Sequence, residues 1–146
     1  MKPEVTQYFY KGGLNCAEST LRCLIEEGVI DAPPEAVRMM TGFGGGMQRG
    51  ITCGAVVGAV AALGWATGRT EPGQSREASA RVVREFLRRF EERFGTLDCR
   101  VLQATYVKNH ALKSEGMYRS CTEFVEKAVE LAQEILVDGA NRKRTE

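Results

Sequence analysis

Apolar positions recur every three or four residues along most of this chain, a spacing that predicts helices almost throughout. Asn15 to Glu27 reads as a helix, with Asn15 as cap, Glu18 closing a capping box and Gly28 at the stop. Asp31-Ala-Pro-Pro34 breaks the pattern, and Pro33 or Pro34 opens a short helix through Met40. Gly42 to Gly50 is a glycine-rich loop. Thr52 is the expected cap of a buried small-residue helix that ends between Gly64 and Gly68. Glu71-Pro-Gly73 is a turn. Gln74 to Phe94 is the clearest amphipathic helix: Val83, Phe86, Leu87, Phe90 and Phe94 share one face, and Glu85 pairs with Arg89 on the other. Asp98 caps a helix to about Asn109. Ser120 caps the last one, with Glu123 closing its box, and that helix runs to Val137 before Gly139.

No segment alternates like a strand. No linker, repeat or composition shift divides the chain. The expectation is one all-α domain over residues 1–140, a bundle of five or six helices with a Gly-rich loop before the buried small-residue helix. Residues 141–146 are expected to form a flexible tail.

Composition narrows the function classes. With 146 residues, 43% hydrophobic and 27% charged, the chain can bury one ordinary core. A net charge of +1 argues against nucleic acid as a partner held by bulk charge. Ile51 to Gly68 is uncharged but only 18 residues long and rich in Gly and Ala, so it reads as a buried helix rather than a membrane span. Its Gly50, Gly54 and Gly58 recur every fourth residue, a stripe that lets a neighbouring helix approach closely and is compatible with a homodimer. Met1 to Tyr10 has no apolar run or cleavage pattern, which favours a cytoplasmic chain.

The cysteines carry the chemistry. Cys16, Cys53, Cys99 and Cys121 follow Asn15, Thr52, Asp98 and Ser120, the four proposed caps. Ser, Thr, Asn and Asp make up only 21 of the 146 residues, so four such neighbours among five cysteines is more than chance supplies. A helix start offers free N–H groups and partial positive charge, which lower a thiol pKa. Thiolates attack disulfides, bind soft metals and hold iron–sulfur clusters. Four such ends in one small bundle are expected to bring their sulfurs together. Cys23 lies inside the first helix, about 10.5 Å along its axis from Cys16, so those two cannot form a disulfide within it. A packing role is expected for Cys23.

Familiar motifs are missing. There is no C-x-x-C pair, and His110 is the only histidine. Gly45 to Thr52 has Walker A glycine spacing, but Ile51 stands at the lysine position and no strand precedes it. The backbone of Gly44, Gly45 and Gly46, with Arg49, is instead a candidate to bind a cofactor or anion beside Cys53.

Asn15-Cys16-Ala17, the run Gly42-Phe-Gly-Gly-Gly-Met47 leading into Cys53-Gly-Ala-Val-Val-Gly58, Cys99-Arg-Val-Leu102 and Cys121 together resemble the family named for its C_GCAxxG_C_C cysteine pattern. The resemblance spans roughly Asn15 to Leu136. One departure is visible: the family label writes Gly before Cys in its central motif, whereas here Cys53 precedes Gly54. The resemblance implies a redox-active, electron-transfer context and no particular substrate.

Three uses of the cysteines follow. Cys16, Cys53, Cys99 and Cys121 ligate an iron–sulfur cluster or other metal for electron transfer to a redox partner. Alternatively two of them exchange as a disulfide without metal, with Cys16 and Cys53 as the catalytic redox thiols. The third use is a structural zinc ion in an all-cysteine site.

Overall fold

The helices begin and end where the sequence can satisfy, or cannot continue, backbone hydrogen bonding. The computed structural model describes Val5, Tyr8, Phe9 and residues 13–110 and 116–145, except the side chains of residues 107–110, 116–120 and 140–145. Most of the Met1 to Tyr10 segment therefore lies outside the described residues. Among those described, the order is α1 (Cys16–Glu26), a ten-residue 3₁₀ helix (Pro34–Phe43), a tight turn (Gly46–Gly50), α2 (Gly54–Thr67), α3 (Glu77–Phe94), α4 (Cys99–His110) and α5 (Gly116–Thr145). This is the expected all-α bundle. A lone antiparallel bridge, Thr52 to Asp98, is the β pairing among the described residues.

At α1 the expected capping box is present. The Glu18 backbone N–H donates to Asn15 Oδ1, and the Asn15 N–H donates to Glu18 Oε1, both at 2.9 Å. The same two side chains tie α1 to the 3₁₀ helix: Asn15 Nδ2 donates to the Thr41 carbonyl at 3.0 Å, and Thr41 Oγ1 donates to Glu18 Oε2 at 2.9 Å. Two other caps differ from expectation. Cys53 itself is the cap residue of α2, because Thr52 is held in the bridge to Asp98. α5 starts at Gly116, so Ser120 and Cys121 lie within the helix, and it continues past Gly139 to Thr145. The segment read as a flexible tail is therefore helical as far as Thr145.

α2 is apolar on every side, which suits a central helix. It packs against α1, α3 and α5. Its glycines set how close α1 comes. A Cβ at Gly58 would stand 2.6 Å from the Ala17 carbonyl oxygen and 2.9 Å from Thr20 Cβ. A Cβ at Gly54, one turn earlier, would collide with Cys16 Sγ. Thr20 is fully buried in this seam and spends its hydroxyl on the Cys16 carbonyl, 2.8 Å away. At 14 residues α2 is short, and no helix among the described residues is long and apolar enough to cross a membrane.

α3 lays Val82, Phe86 and Phe90 into the core, with Val83, Leu87 and Phe94 partly buried beside them. Its wet side pairs Arg89 with Glu85 at 2.7 Å, as the spacing predicts. Phe90, Phe94 and Phe124 pack as an aromatic wedge, tilted in the first pair with ring centroids 4.8 Å apart and edge-to-face in the second at 4.9 Å. Such pairs add about 0.5–1.5 kcal/mol beyond the area they bury. Cys23 is fully buried in the core, in keeping with a packing role.

The seam makes a stability prediction. Gly58→Ala forces a methyl against a backbone carbonyl that cannot swing aside and costs about 1–3 kcal/mol in urea unfolding. Gly64→Ala, on the same helix with nothing within 4 Å of the new methyl, is neutral or stabilises by about 0.5–1 kcal/mol. Equal effects at both positions would contradict the close approach of α1 and α2.

Candidate functional site

Four elements deliver one cysteine each. Cys16 opens α1 directly after its cap residue, Asn15. Cys53 and Cys99 are placed together by the small bridge: Cys53 N–H donates to the Leu97 carbonyl at 2.8 Å, and Cys99 N–H donates to the Ile51 carbonyl at 2.6 Å. The two strands of that bridge run antiparallel, so α2 and α4 start side by side. Asp98 caps α4 as expected, its Oδ1 accepting from the Val101 N–H at 3.0 Å. Cys121 comes from the interior of α5, which packs against α4.

All four cysteines line a single cavity of about 820 Å³. Its other walls mix apolar side chains (Phe9, Leu102, Phe124) with polar ones (Glu18, Thr41, Gln48, Gln103). Cys16, Cys53 and Cys99 are buried and Cys121 is half-buried. Gln103 Nε2 donates to Cys99 Sγ at 3.4 Å and to Cys121 Sγ at 3.7 Å. Laid end to end, those contacts hold the two sulfurs within about 7 Å of each other. No disulfide joins the described cysteines. Among the described residues, no group of three or more His, Cys, Asp or Glu side chains is arranged to hold a single metal ion.

The glycine-rich loop forms the rim. Gly45, Gly46, Met47 and Gln48 all have φ between 60° and 65°, four successive left-handed residues. For Met47 and Gln48 that conformation costs about 1–2 kcal/mol each, and strain of this kind collects at functional sites. The turn closes with Ile51 N–H donating to the Gly46 carbonyl at 2.8 Å. Gly46 is buried under Cys99: a Cβ there would stand 2.7 Å from Cys99 Cβ. Gly44 packs against the Asn15 side chain, and Gly45 faces the cavity. Arg49, expected to add charge to the site, is exposed and is not among the lining residues; its carbonyl accepts from Arg100 at 3.2 Å. The side chain of His110 lies outside the described residues.

The electrostatics correct one expectation. Burial pushes the Cys53 thiol up to about 12, well above the ordinary 9.0. The N–H groups of Val56 and Ala55 at the start of α2 act in the opposite direction and are outweighed, while negative charge on Cys16 or Cys121 raises it further. Cys99 is also raised, by burial first and then by Cys16 and Asp98, with Arg100 opposing. At Cys53 desolvation overrides the helix start.

Sequence reasoning missed Gln103 and Gln48. Gln103 stands four residues after Cys99, the helical spacing that places two side chains on one face, so its place beside that sulfur had a signal. Gln48 reaches the cavity only because the loop turns left-handed.

Residues 14–135 match the family described as "Putative redox-active protein (C_GCAxxG_C_C)". The match covers most of the chain, and the chain belongs to that family. No curated protein and no solved structure matches it.

The raised Cys53 thiol predicts a pH dependence. Below pH 9 the thiol is protonated in both folded and unfolded chains. From 9 towards 12 the unfolded chain releases the proton and the folded chain keeps it, so stability falls as pH rises. In urea unfolding of the reduced, metal-free protein, the stability difference between the native chain and Cys53→Ala is constant below pH 9 and shrinks above it. A difference independent of pH contradicts a buried, protonated thiol.

Proposed function

We propose, from membership of this family and from the shared cavity, that the chain is an electron-transfer module in which Cys16, Cys53, Cys99 and Cys121 hold an iron–sulfur cluster. The observation that carries this is the convergence of four cysteines from four helices on one cavity of about 820 Å³. The donor set is all sulfur, which selects iron–sulfur clusters and other soft metals. The family is described as redox-active and zinc has no redox chemistry, which favours an iron–sulfur cluster over a structural zinc ion.

An iron–sulfur cluster accepts and passes on single electrons. The chain's own contribution is the environment. Burial of Cys53 keeps its free thiol protonated at neutral pH, and a bound metal removes that proton outright. The same burial makes free Cys53 a poor attacking thiol at neutral pH, which weakens the case for Cys16 and Cys53 as an exchanging pair. Leu102 and Phe124 add apolar wall beside the buried sulfurs, and hydrogen bonding and exposure tune the potential of such a group. A dithiol reading has one observation in its favour, the Cys99 and Cys121 sulfurs within about 7 Å of each other on α4 and α5.

Alanine replacements of single cysteines test the assignment. The full chain is reconstituted anaerobically with ferrous iron and sulfide, and bound iron, labile sulfide and visible absorbance are measured. Cys16→Ala, Cys53→Ala, Cys99→Ala and Cys121→Ala each lose more than half of the native content, whereas Cys23→Ala keeps it. Native content in all four variants contradicts the ligand set. A metal-free native chain that forms a reversible Cys99–Cys121 disulfide establishes the dithiol reading instead.

A further inference from the structure

Gln103 is the side chain among the described residues whose amide contacts two of the four sulfurs. Its Nε2 donates to Cys99 Sγ at 3.4 Å and to Cys121 Sγ at 3.7 Å. The geometry has a simple source. Gln103 follows Cys99 by one turn of α4, which lays the amide beside that sulfur, and α5 brings Cys121 to its other side. A primary amide nitrogen carries two hydrogens, enough for one bond to each sulfur. The side chain is half-buried on the cavity wall, where low dielectric strengthens such contacts. Holding a cluster needs only the four sulfurs, so this amide is not spent on ligation.

We propose that Gln103 is a positioning residue that raises the reduction potential of the cysteine site by donating to Cys99 and Cys121. This rests on the electron-transfer reading given above. Reduction brings one electron from an external one-electron donor onto the cluster, with no bond broken and no proton moved. Part of the added negative charge falls on the ligating sulfurs, and two N–H dipoles aimed at those sulfurs stabilise it. The oxidised form carries less charge there and gains less. Other charges acting on Cys99, from Cys16, Asp98 and Arg100, are left in place when Gln103 is changed.

The test is a mediated redox titration of the cluster-loaded full chain, followed by visible absorbance, for the native protein, Gln103→Leu and Gln103→Glu. Leu keeps much of the bulk and removes both donors. Glu keeps the shape and turns a carboxylate towards the sulfurs. Iron and sulfide contents equal to native, with midpoint potentials falling in the order native, Leu, Glu, are expected. A Leu variant with the native potential overturns the proposal. Loss of the cluster from both variants with the fold intact by circular dichroism also overturns it, since the amide then serves holding alone.

A native chain that takes up no iron refutes the electron-transfer reading and this proposal with it, whereas a cluster-loaded Leu variant at the native potential refutes this proposal alone.

Discussion

The close approach of α1 and α2 is the constraint on which the rest depends. Gly54 and Gly58 remove two side chains from α2, and the backbone of α1 at Ala17 fills the space. Because Gly54 follows Cys53 directly, the same seam seats Cys16 Sγ against the start of α2. The asparagine cap and Glu18 then fix the entry of α1 and bind it to the 3₁₀ helix at Thr41. Placement of two cysteines is thus a packing consequence of two glycines. The other two depend on smaller devices: the Thr52–Asp98 bridge starts α4 beside α2, and α5 packs against α4 to bring in Cys121.

A second contest, between helix ends and burial, decides the chemistry of these thiols. A helix start stabilises a thiolate, but burial removes the water that would solvate one. At Cys53 burial wins by a wide margin. Such a sulfur is quiet on its own and becomes anionic when a metal displaces its proton. The left-handed rim at Gly45 to Gln48 and the aromatic wedge behind Phe124 hold the cavity's shape around it.

Much of this was legible in the chain. The period of α3, the Asn15–Glu18 box and the Gly54–Gly58 pair of α2 are local patterns with local causes, and each appears where the spacing put it; Gly50, expected in the same stripe, lies instead in the turn before α2, beside Arg100. The four-cysteine pattern was legible because cap residues precede the cysteines, although only Asn15 and Asp98 act as caps. Thr52 was misread because a two-residue bridge is a long-range pairing that no local period announces. Ser120 was misread because α5 begins four residues earlier and carries it within the helix. The sign of the thiol pKa shift was not legible at all: sequence shows a helix end, while burial depends on what other elements pack over it. Arg49 lay beside the site in sequence, and a turn with four successive positive φ values leaves it exposed outside the cavity.

Whether the cavity holds a polynuclear group, as proposed, or free thiols is decided by the iron and labile-sulfide content of the native chain purified without oxygen, with a visible spectrum of the same sample. A bound cluster gives iron and sulfide in matching amounts and a coloured protein that bleaches on oxidation. A colourless protein with neither, or with zinc alone, would contradict the proposal.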